Sequence, residues 1–327
     1  MKNSRNIRTD LALEAREAVA GKDMSEIDGV NILSSEDDIM TVTQVEIVNE
    51  KGSEALGKPQ GKYITIESQS LRENDIDAQK KITMALSEKI KELVEPEKHK
   101  KVLIVGLGNW NVTPDALGPK VVKRILVTRH ILDSIPEDIK DSVGNVAAVS
   151  PGVLGITGIE TAEIIKGIVE KVKPDAVVAI DALAARSISR INSTIQLSDT
   201  GINPGAGIGN SRSPLNRDTL GVPVIAIGVP TVVDAATLVN DTFDGILISM
   251  AQKDNEDKRT LKCIEHICSE DKFEDILNAL EPYSGNMFVT PKEVDAVIER
   301  LSDVIANAVN IVLHPVIDID DVKNFSF

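Results

Sequence analysis

The chain has 327 residues and a mass of 35.3 kDa, a length that can bury a large apolar core without disulfide bonds. Its formal net charge of −15 at pH 7 argues against nucleic acid as a partner. Two cysteines are too few for a disulfide framework, and no apolar run approaches the ~20 residues of a membrane span or forms a signal-peptide core. We therefore expect a reduced, cytoplasmic protein that binds neither nucleic acid nor membrane directly.

The first third of the chain is predicted to hold two helices and two strands. Apolar spacing places the helices at 11–20 and 75–95, and alternation places the strands at 40–48 and 63–68. Thr9 or Asp10 is the expected N-cap of the first helix. A turn that contains Gly57 and Lys58 is expected to join the two strands.

Four short apolar segments in the centre have the pattern of buried parallel strands, because each is followed by a loop and a helix. They lie at 102–107, 146–149, 176–180 and 223–227. After the first segment, Thr113, Pro114 and Asp115 have the pattern of a helix start, with Thr113 as the N-cap. Strand, loop and helix repeated four times predict an α/β fold in three layers, with a mostly parallel sheet flanked by helices.

Three further segments complete the predicted domain. Residues 200–221 are too rich in Gly and Pro for a helix, and a loop of this length is usually functional or disordered. A closing helix is predicted at 291–313. Peripheral inserts are expected near 40–75 and 252–285, within a single domain that spans residues 11–327.

Three glycine-containing motifs resemble known sites but lack the context that those sites require. They are a phosphate loop at 52–58, a dinucleotide fingerprint at 106–108 and the triplet of pepsin-like proteases at 199–201. Pro59 stands where a phosphate loop needs Ser or Thr, so a hairpin turn is favoured there. The fingerprint lacks its third glycine, and the triplet belongs to all-β lobes. The four histidines are too far apart in sequence to predict a metal site.

Two carboxylates at predicted strand ends are the best candidates for chemistry. Ligands of open parallel sheets bind at the carboxyl ends of the strands, where Asp115 and Asp181 would share one crevice if their strands are neighbours. Structural roles are also open, because Asp115 can complement a helix dipole and Asp181 can cap a helix that begins at Ala182. Asp234, in the fourth loop, is a rival.

A close carboxylate pair suits the activation of water, with one ionised group as general base and one protonated group as acid. Asp115, near a helix N-terminus, is expected to stay ionised. Apolar neighbours are expected to raise the pKa of Asp181, so that Asp181 holds the shared proton.

Seven segments that are spread along nearly the whole chain have an unusual sequence. They are RTDLALEARE (8–17), GLGNWNVTPDALGPK (106–120), SPGVLGITGIET (150–161), AIDALAARS (179–187), NPGAGIGN (203–210), GVPVIAIGVPTVVDA (221–235) and VTPKEVD (289–295). In these segments the sequence resembles the germination proteases of spore-forming bacteria. The insert at 252–285 is matched least.

This resemblance implies an endopeptidase that begins the degradation of small acid-soluble spore proteins at germination, in the developing spore and the spore core. It implies an aspartic-type mechanism with Asp115 and Asp181 as catalytic residues and no cofactor. The segment 106–120 is also similar to hydrogenase-maturation endopeptidases, which have a similar α/β fold and bind nickel through the corresponding acid. A metal-dependent endopeptidase with Asp115 as ligand therefore stays open, as does a non-catalytic protein with this fold.

The resemblance also implies a zymogen, made as a homotetramer, that removes its own N-terminal segment. Cleavage sites of the family have Thr, an acid, an apolar residue, Ala, any residue and Glu, as do residues 9–14 here. We therefore expect cleavage between Asp10 and Leu11, which removes a prosegment of residues 1–10. The basic side chains of this prosegment are expected to hold it partly by charge against the acidic remainder of the chain.

Overall fold

The computed structural model describes residues 9–20, 26–97, 100–205, 212–253 and 287–319, together with 276, 278 and 279. The strands of this part are β1 (Val30–Glu36), β2 (Thr41–Ile47), β3 (Gly61–Glu67), β4 (Lys101–Gly106), β5 (Asn145–Val149), β6 (Ala176–Ala185), β7 (Thr194–Ser198), β8 (Val224–Asp234) and β9 (Phe288–Val289). Its α-helices are α1 (Ala12–Ala20), α2 (Glu50–Leu56), α3 (Ile76–Val94), α4 (Leu117–Val122), α5 (Glu137–Lys140), α6 (Leu154–Thr157), α7 (Thr161–Val172), α8 (Arg217–Leu220), α9 (Ala235–Lys253) and α10 (Val294–Leu313).

These strands form one mixed sheet in the order β1-β2-β3-β7-β8-β6-β4-β5, and β9 pairs with β8. Strands β5, β4, β6 and β8 are parallel to one another and correspond to the four predicted parallel strands. The side chains of β4, β6 and β8 are buried on both faces, which explains their continuous apolar runs. The predicted α/β fold is confirmed.

Helices cover both faces of the parallel strands. Successive side chains of a strand point to opposite faces of the sheet, so two neighbouring residues of β4 show what packs on each face. Ile104 of β4 lies in the larger core cluster with Leu86 of α3 and Ile305 of α10. Its neighbour Leu103 lies in a second cluster with Ile165 of α7. The three predicted layers are therefore present, and the sheet is the central one.

Two of the parallel strands are longer than their sequence pattern predicts. β6 continues to Ala185 and β8 to Asp234, and the two remain paired along this extension with a register shift after Leu183. The prediction of a helix after Asp181 is therefore wrong, because residues 182–185 continue the strand. The paired extension projects beyond Gly106, where β4 ends.

An antiparallel extension, formed by β1, β2, β3 and β7, joins the parallel strands through β8. The strands predicted at 40–48 and 63–68 are confirmed as β2 and β3, whereas β1 and β7 were not predicted. The hairpin turn expected between β2 and β3 is wrong, because helix α2 lies there. Asn49 caps α2 by accepting the N–H of Gly52, and Gly57 ends it at a φ of +62°.

The other helix predictions differ from the structure mainly at their ends. The helix at 75–95 is confirmed as α3, with Asp75 as its N-cap, and the closing helix is confirmed as α10, which begins at Val294. Most of the predicted insert at 252–285 lies outside the described residues. Among the helices that the structure describes, none combines the length and apolar character required to cross a membrane.

Candidate active site

Asp115 lies in the loop that follows β4 and is held by that loop. The N–H of Asn109 donates to Asp115 Oδ2 at 2.8 Å and to the Asp115 backbone oxygen at 3.0 Å. This approach requires glycine at Gly108, where φ is +108° and a Cβ would lie 2.0 Å from the Asp115 backbone oxygen. The predicted N-cap role of Thr113 is wrong. Thr113 lies within a short 3-10 turn, and its hydroxyl group donates to Asp295 of α10.

Asp181 lies inside β6, immediately beyond the last residue that pairs with β4. That residue, Ile180, accepts the N–H of Leu107 at 2.8 Å, and on the other side Asp181 pairs with Gly228 of β8. The Asp181 side chain is buried at 6% exposure, and its Oδ1 accepts the N–H of Ala182 at 2.9 Å. Asp181 is therefore fixed at the point where β4 ends and β6 continues with β8. Ligands of α/β sheets usually bind at such carboxyl ends of the strands.

Of Asp181 and Asp234, only Asp234 caps a helix. The helix-capping role of Asp181 is wrong, because the residues after it are strand. Asp234 lies at the far end of β8 and accepts the N–H groups of Ala236 at 2.8 Å and Thr237 at 3.3 Å, so Asp234 caps helix α9.

Burial shifts the protonation of both candidate catalytic carboxylates. It raises the pKa of Asp115 to about 6, although the hydrogen bond from Asn109 opposes the shift. Burial also raises the pKa of Asp181 well above its ordinary range, and repulsion from Asp115 and Asp10 adds to this effect. The predicted rise at Asp181 is confirmed. The expectation that Asp115 stays ionised holds only above about pH 6, because burial outweighs its hydrogen bond.

The segment Thr9–Glu14, called the docked segment below, lies beside these carboxylates. The N–H of Asp10 donates to the backbone oxygen of Ala184 at 3.0 Å, and the N–H of Ala184 donates to Asp10 Oδ2 at 2.9 Å. Asp10 therefore pairs with the extension of β6 beyond Asp181. The predicted N-cap role of Thr9 or Asp10 is wrong, because α1 begins only at Ala12.

Two side chains anchor the docked segment on either side of its helix start. Leu11 is completely buried and packs against Leu183 of β6. Glu14, at 3% exposure, accepts the N–H groups of Arg186 at 2.7 Å and Ser187 at 2.9 Å. Charge-assisted hydrogen bonds of this kind compensate the burial of the Glu14 carboxylate and fix the segment along β6.

The antiparallel extension contacts the docked segment at the Asp10 carbonyl. Lys58 Nζ lies 2.9 Å and Gln196 Nε2 lies 3.2 Å from the Asp10 backbone oxygen. Gln196 Oε1 also accepts the N–H of Ala12 at 2.7 Å, and Lys58 Nζ lies 3.4 Å from the Thr9 backbone oxygen. In the sequence, Lys58 lies in an expected turn at the end of the rejected phosphate-loop motif, and no local motif marks Gln196.

A cavity of about 810 Å³ adjoins the docked segment. Its lining includes Lys58, Gln196 and Thr200, so the start of the long loop predicted at 200–221 borders the peptide site. Asp115 and Asp181 are not part of this lining. The cavity therefore enlarges the space around the peptide and does not enclose the carboxylate pair.

The arrangement provides the groups that acid–base chemistry on a peptide requires. Burial raises the pKa of both carboxyl groups, and repulsion from Asp115 adds to the shift at Asp181, so one group of the pair can hold a proton while the other is ionised. In the part of the chain that the structure describes, no group of three or more His, Cys, Asp or Glu side chains is placed to hold a metal ion. The fold and site thus define an α/β protein whose own N-terminal segment pairs with a strand beside two buried carboxyl groups.

Comparison with known proteins gives the family of this chain. The family model described as germination protease matches residues 7–269 and 251–326. The chain belongs to the germination protease family and is a peptidase.

Relatives from three genera show how far the similarity extends. The chain is 48% identical to the germination protease of Clostridium perfringens over 322 residues, 98% of this chain and 99% of the relative. It is 48% identical to that of Caldanaerobacter subterraneus subsp. tengcongensis over 94% of each chain. It is 44% identical to that of Bacillus cereus over 97% of this chain and 96% of the relative.

A search of solved structures finds a [NiFe] hydrogenase maturation protease, HycI, from Thermococcus kodakarensis. It is 17% identical, has a TM-score of 0.34 and covers 67% of this chain and 97% of its own.

Proposed function

We propose that this protein is an aspartic-type endopeptidase that begins the degradation of small acid-soluble spore proteins at germination. In this proposal the chain is made in the spore as a homotetrameric zymogen and removes residues 1–10 by cutting between Asp10 and Leu11. The observation that carries the proposal is the position of the docked segment, because the expected cleavage site pairs with the same strand that holds Asp181.

The proposed chemistry uses both carboxylates of the pair. Asp115, whose pKa is about 6, acts as general base and takes a proton from water as the water oxygen adds to the Asp10 carbonyl carbon. The bond between this carbon and the Leu11 nitrogen then breaks, and the nitrogen receives the proton that Asp181 held. The products are a carboxyl group on Asp10 and an amine on Leu11.

In this proposal the docked segment also keeps the uncut chain inactive toward other substrates. Its backbone and its Leu11 and Glu14 side chains occupy the groups of β6 that a substrate peptide of the same pattern would need. A small acid-soluble spore protein can bind there only after the cut releases Thr9 and Asp10 and the retained residues 11–14 move away from β6. The proposal therefore links substrate choice and latency to one set of contacts.

The test is a time course of intact mass for the purified chain at pH 5, 6, 7 and 8, beside Asp181→Asn. We expect the wild type to lose residues 1–10 and Asp181→Asn to remain intact. Asp234→Asn, which changes another buried aspartate, serves as the matched control and should process like the wild type. The wild-type rate should fall below about pH 6, as the Asp115 base is protonated, and again at high pH, as Asp181 ionises.

Three outcomes would overturn parts of this proposal. Processing of Asp181→Asn at the wild-type rate would exclude an aspartic mechanism through this residue. Loss of activity in a chelator, with recovery on addition of a divalent metal, would favour the metal-dependent alternative with Asp115 as ligand. Failure of the processed protein to cut a small acid-soluble spore protein would contradict the proposed substrate.

A further inference from the structure

The backbone oxygen of Asp10 receives two side-chain hydrogen bonds from the antiparallel extension. The Lys58 ammonium group lies 2.9 Å away, and the Gln196 amide group lies 3.2 Å away. In the proposed function this oxygen is the carbonyl oxygen of the peptide group that is cut. Negative charge develops on such an oxygen when water adds to its carbon, and donors aimed at this position stabilise that charge.

The position of Lys58 is set by the end of helix α2. Gly57 turns the chain in the left-handed conformation, and the Lys58 backbone then donates its N–H to the Ser53 backbone oxygen at 3.3 Å. The Ser53 hydroxyl donates to the Lys58 backbone oxygen at 2.6 Å. The Lys58 backbone is thus held on both sides, and its long side chain reaches from this fixed point to the docked segment.

The Lys58 ammonium group is enclosed although its residue is partly exposed. Burial lowers the pKa of Lys58, while the nearby carboxylates of Asp10 and Glu14 oppose this shift. An ammonium group removed from water interacts more strongly with a developing anion than a solvated one does. The enclosed Lys58 ammonium group is therefore suited to stabilise negative charge on the Asp10 oxygen.

Gln196 is buried and holds the peptide across the proposed cleavage site. Its Nε2 donates to the Asp10 oxygen, and its Oε1 accepts the N–H of Ala12 at 2.7 Å. One amide group thus contacts the residues on both sides of Leu11. This arrangement fixes the orientation of the bond between Asp10 and Leu11, which is the second requirement for an efficient attack by water.

We propose that Lys58 and Gln196 form the oxyanion-binding site of this peptidase, a role that rests on the proposed cleavage between Asp10 and Leu11. As the water oxygen bonds to the Asp10 carbonyl carbon, the π electrons of the carbonyl move to its oxygen, and Lys58 and Gln196 stabilise the resulting anion. When the carbon–nitrogen bond breaks, these electrons re-form the carbonyl. Asp115 and Asp181 then handle only the protons of water and of the leaving nitrogen.

The test compares first-order rates for loss of residues 1–10 in the full chain. Lys58→Met, which keeps the length of the side chain without its charge, should process about 100-fold to 1,000-fold more slowly, the loss typical of a missing oxyanion donor. Lys58→Arg should recover part of the rate. Gln196→Leu should slow processing about tenfold or more. Lys51→Met on the same helix is the matched control and should match the wild type, because Lys51 is exposed and binds only Asp28 among described residues.

A second measurement separates catalysis from anchoring of the segment. Amide hydrogen exchange of residues 9–16 is compared in Asp181→Asn and in the double variant Asp181→Asn with Lys58→Met, neither of which is expected to cut itself. Equal protection, together with the slow rate of Lys58→Met, supports the oxyanion-binding role. Loss of protection in the double variant would show that Lys58 only anchors the segment and would overturn the inference.

The outcomes also distinguish this inference from the proposed function. If the wild type does not lose residues 1–10, or if Asp181→Asn loses them equally fast, the proposed function is wrong. If the wild type cuts, Asp181→Asn does not, and Lys58→Met cuts within threefold of the wild type, only the oxyanion-binding role is wrong.

Discussion

The four parallel strands bring both candidate catalytic carboxylates together, whereas the antiparallel extension brings the side chains that contact the peptide. Asp115 and Asp181 depend on β4 and β6, and their pKa values are raised mainly by burial. Lys58 follows helix α2 and Gln196 lies in β7, and both contact the docked segment at the Asp10 backbone oxygen. Chemistry and peptide binding are thus assigned to different parts of one sheet.

Arg190 connects the two regions to the N-terminal helix. Its guanidinium group donates to Glu67 of β3 at 2.7 Å and to both carboxylate oxygens of Glu17 in α1, at 2.6 and 2.7 Å. Arg190 itself lies between β6 and β7, next to the amides that bind Glu14. Arg190 thus joins the antiparallel extension to α1, the helix that follows the docked segment.

The largest expected effect tests the catalytic region. Gly108→Ala would place a Cβ 2.0 Å from the Asp115 backbone oxygen at a φ of +108°, so the loop must move and carry Asp115 with it. We expect processing to slow at least 100-fold. Gly221→Ala, at the end of α8, is the matched control, since its φ of +74° is also positive but no atom lies within 4 Å of the added Cβ.

The Gly221→Ala chain should lose about 1 kcal/mol of stability and process within threefold of the wild type. Intact-mass time courses measure the rates, and thermal melting checks that both chains fold. Wild-type processing by a folded Gly108→Ala chain would show that the placement of Asp115 by this loop is unimportant.

A smaller effect tests the peptide contacts. Glu14→Gln keeps the size of the side chain but removes the charge that accepts the N–H groups of Arg186 and Ser187. Hydrogen bonds to charged groups contribute about 1.5–3 kcal/mol, so docking should weaken and processing should slow about tenfold or more. Amide exchange of residues 9–16 should rise in parallel.

Glu17→Gln is the control for Glu14→Gln. Its carboxylate also binds an arginine, but the side chain is 39% exposed, and exposed ion pairs contribute only up to about 1 kcal/mol. It should process within threefold of the wild type. Equal effects of the two substitutions would mean that burial of Glu14 does not control docking.

The sequence predicts the parallel strands because they are buried on both faces and have continuous apolar runs. The same pattern cannot show where β6 ends, since residues 182–185 have the composition of a helix and become strand only through pairing with β8. The pair Asp115 and Asp181 was predicted because both follow apolar runs. Lys58 and Gln196 are brought to the peptide only by long-range pairing, which no local spacing reveals.

The smallest expected effect concerns the stability cost of the buried Asp115 carboxylate. Its pKa is about 6 in the folded chain against an ordinary value of 3.8, so the folded state binds this proton more tightly than the unfolded state does. The stabilisation is therefore present below about pH 4 and is lost as pH rises through about 6. Removal of the carboxylate in Asp115→Asn should raise stability at pH 7.5 by about 1–2 kcal/mol, discounted for partial exposure, and leave it unchanged at pH 4.

Urea unfolding at fixed protein concentration measures this difference, with Asp181→Asn as the background in both chains so that neither cuts itself. Asp37→Asn provides a control of opposite sign. Hydrogen bonds from the N–H groups of Met40 and Ile39 lower the pKa of Asp37, so its removal should reduce stability at pH 7.5 and have less effect at pH 4. If Asp115→Asn also destabilised the chain at pH 7.5, the Asp115 carboxylate would be a favourable structural contact, and its raised pKa would not be a cost retained for catalysis.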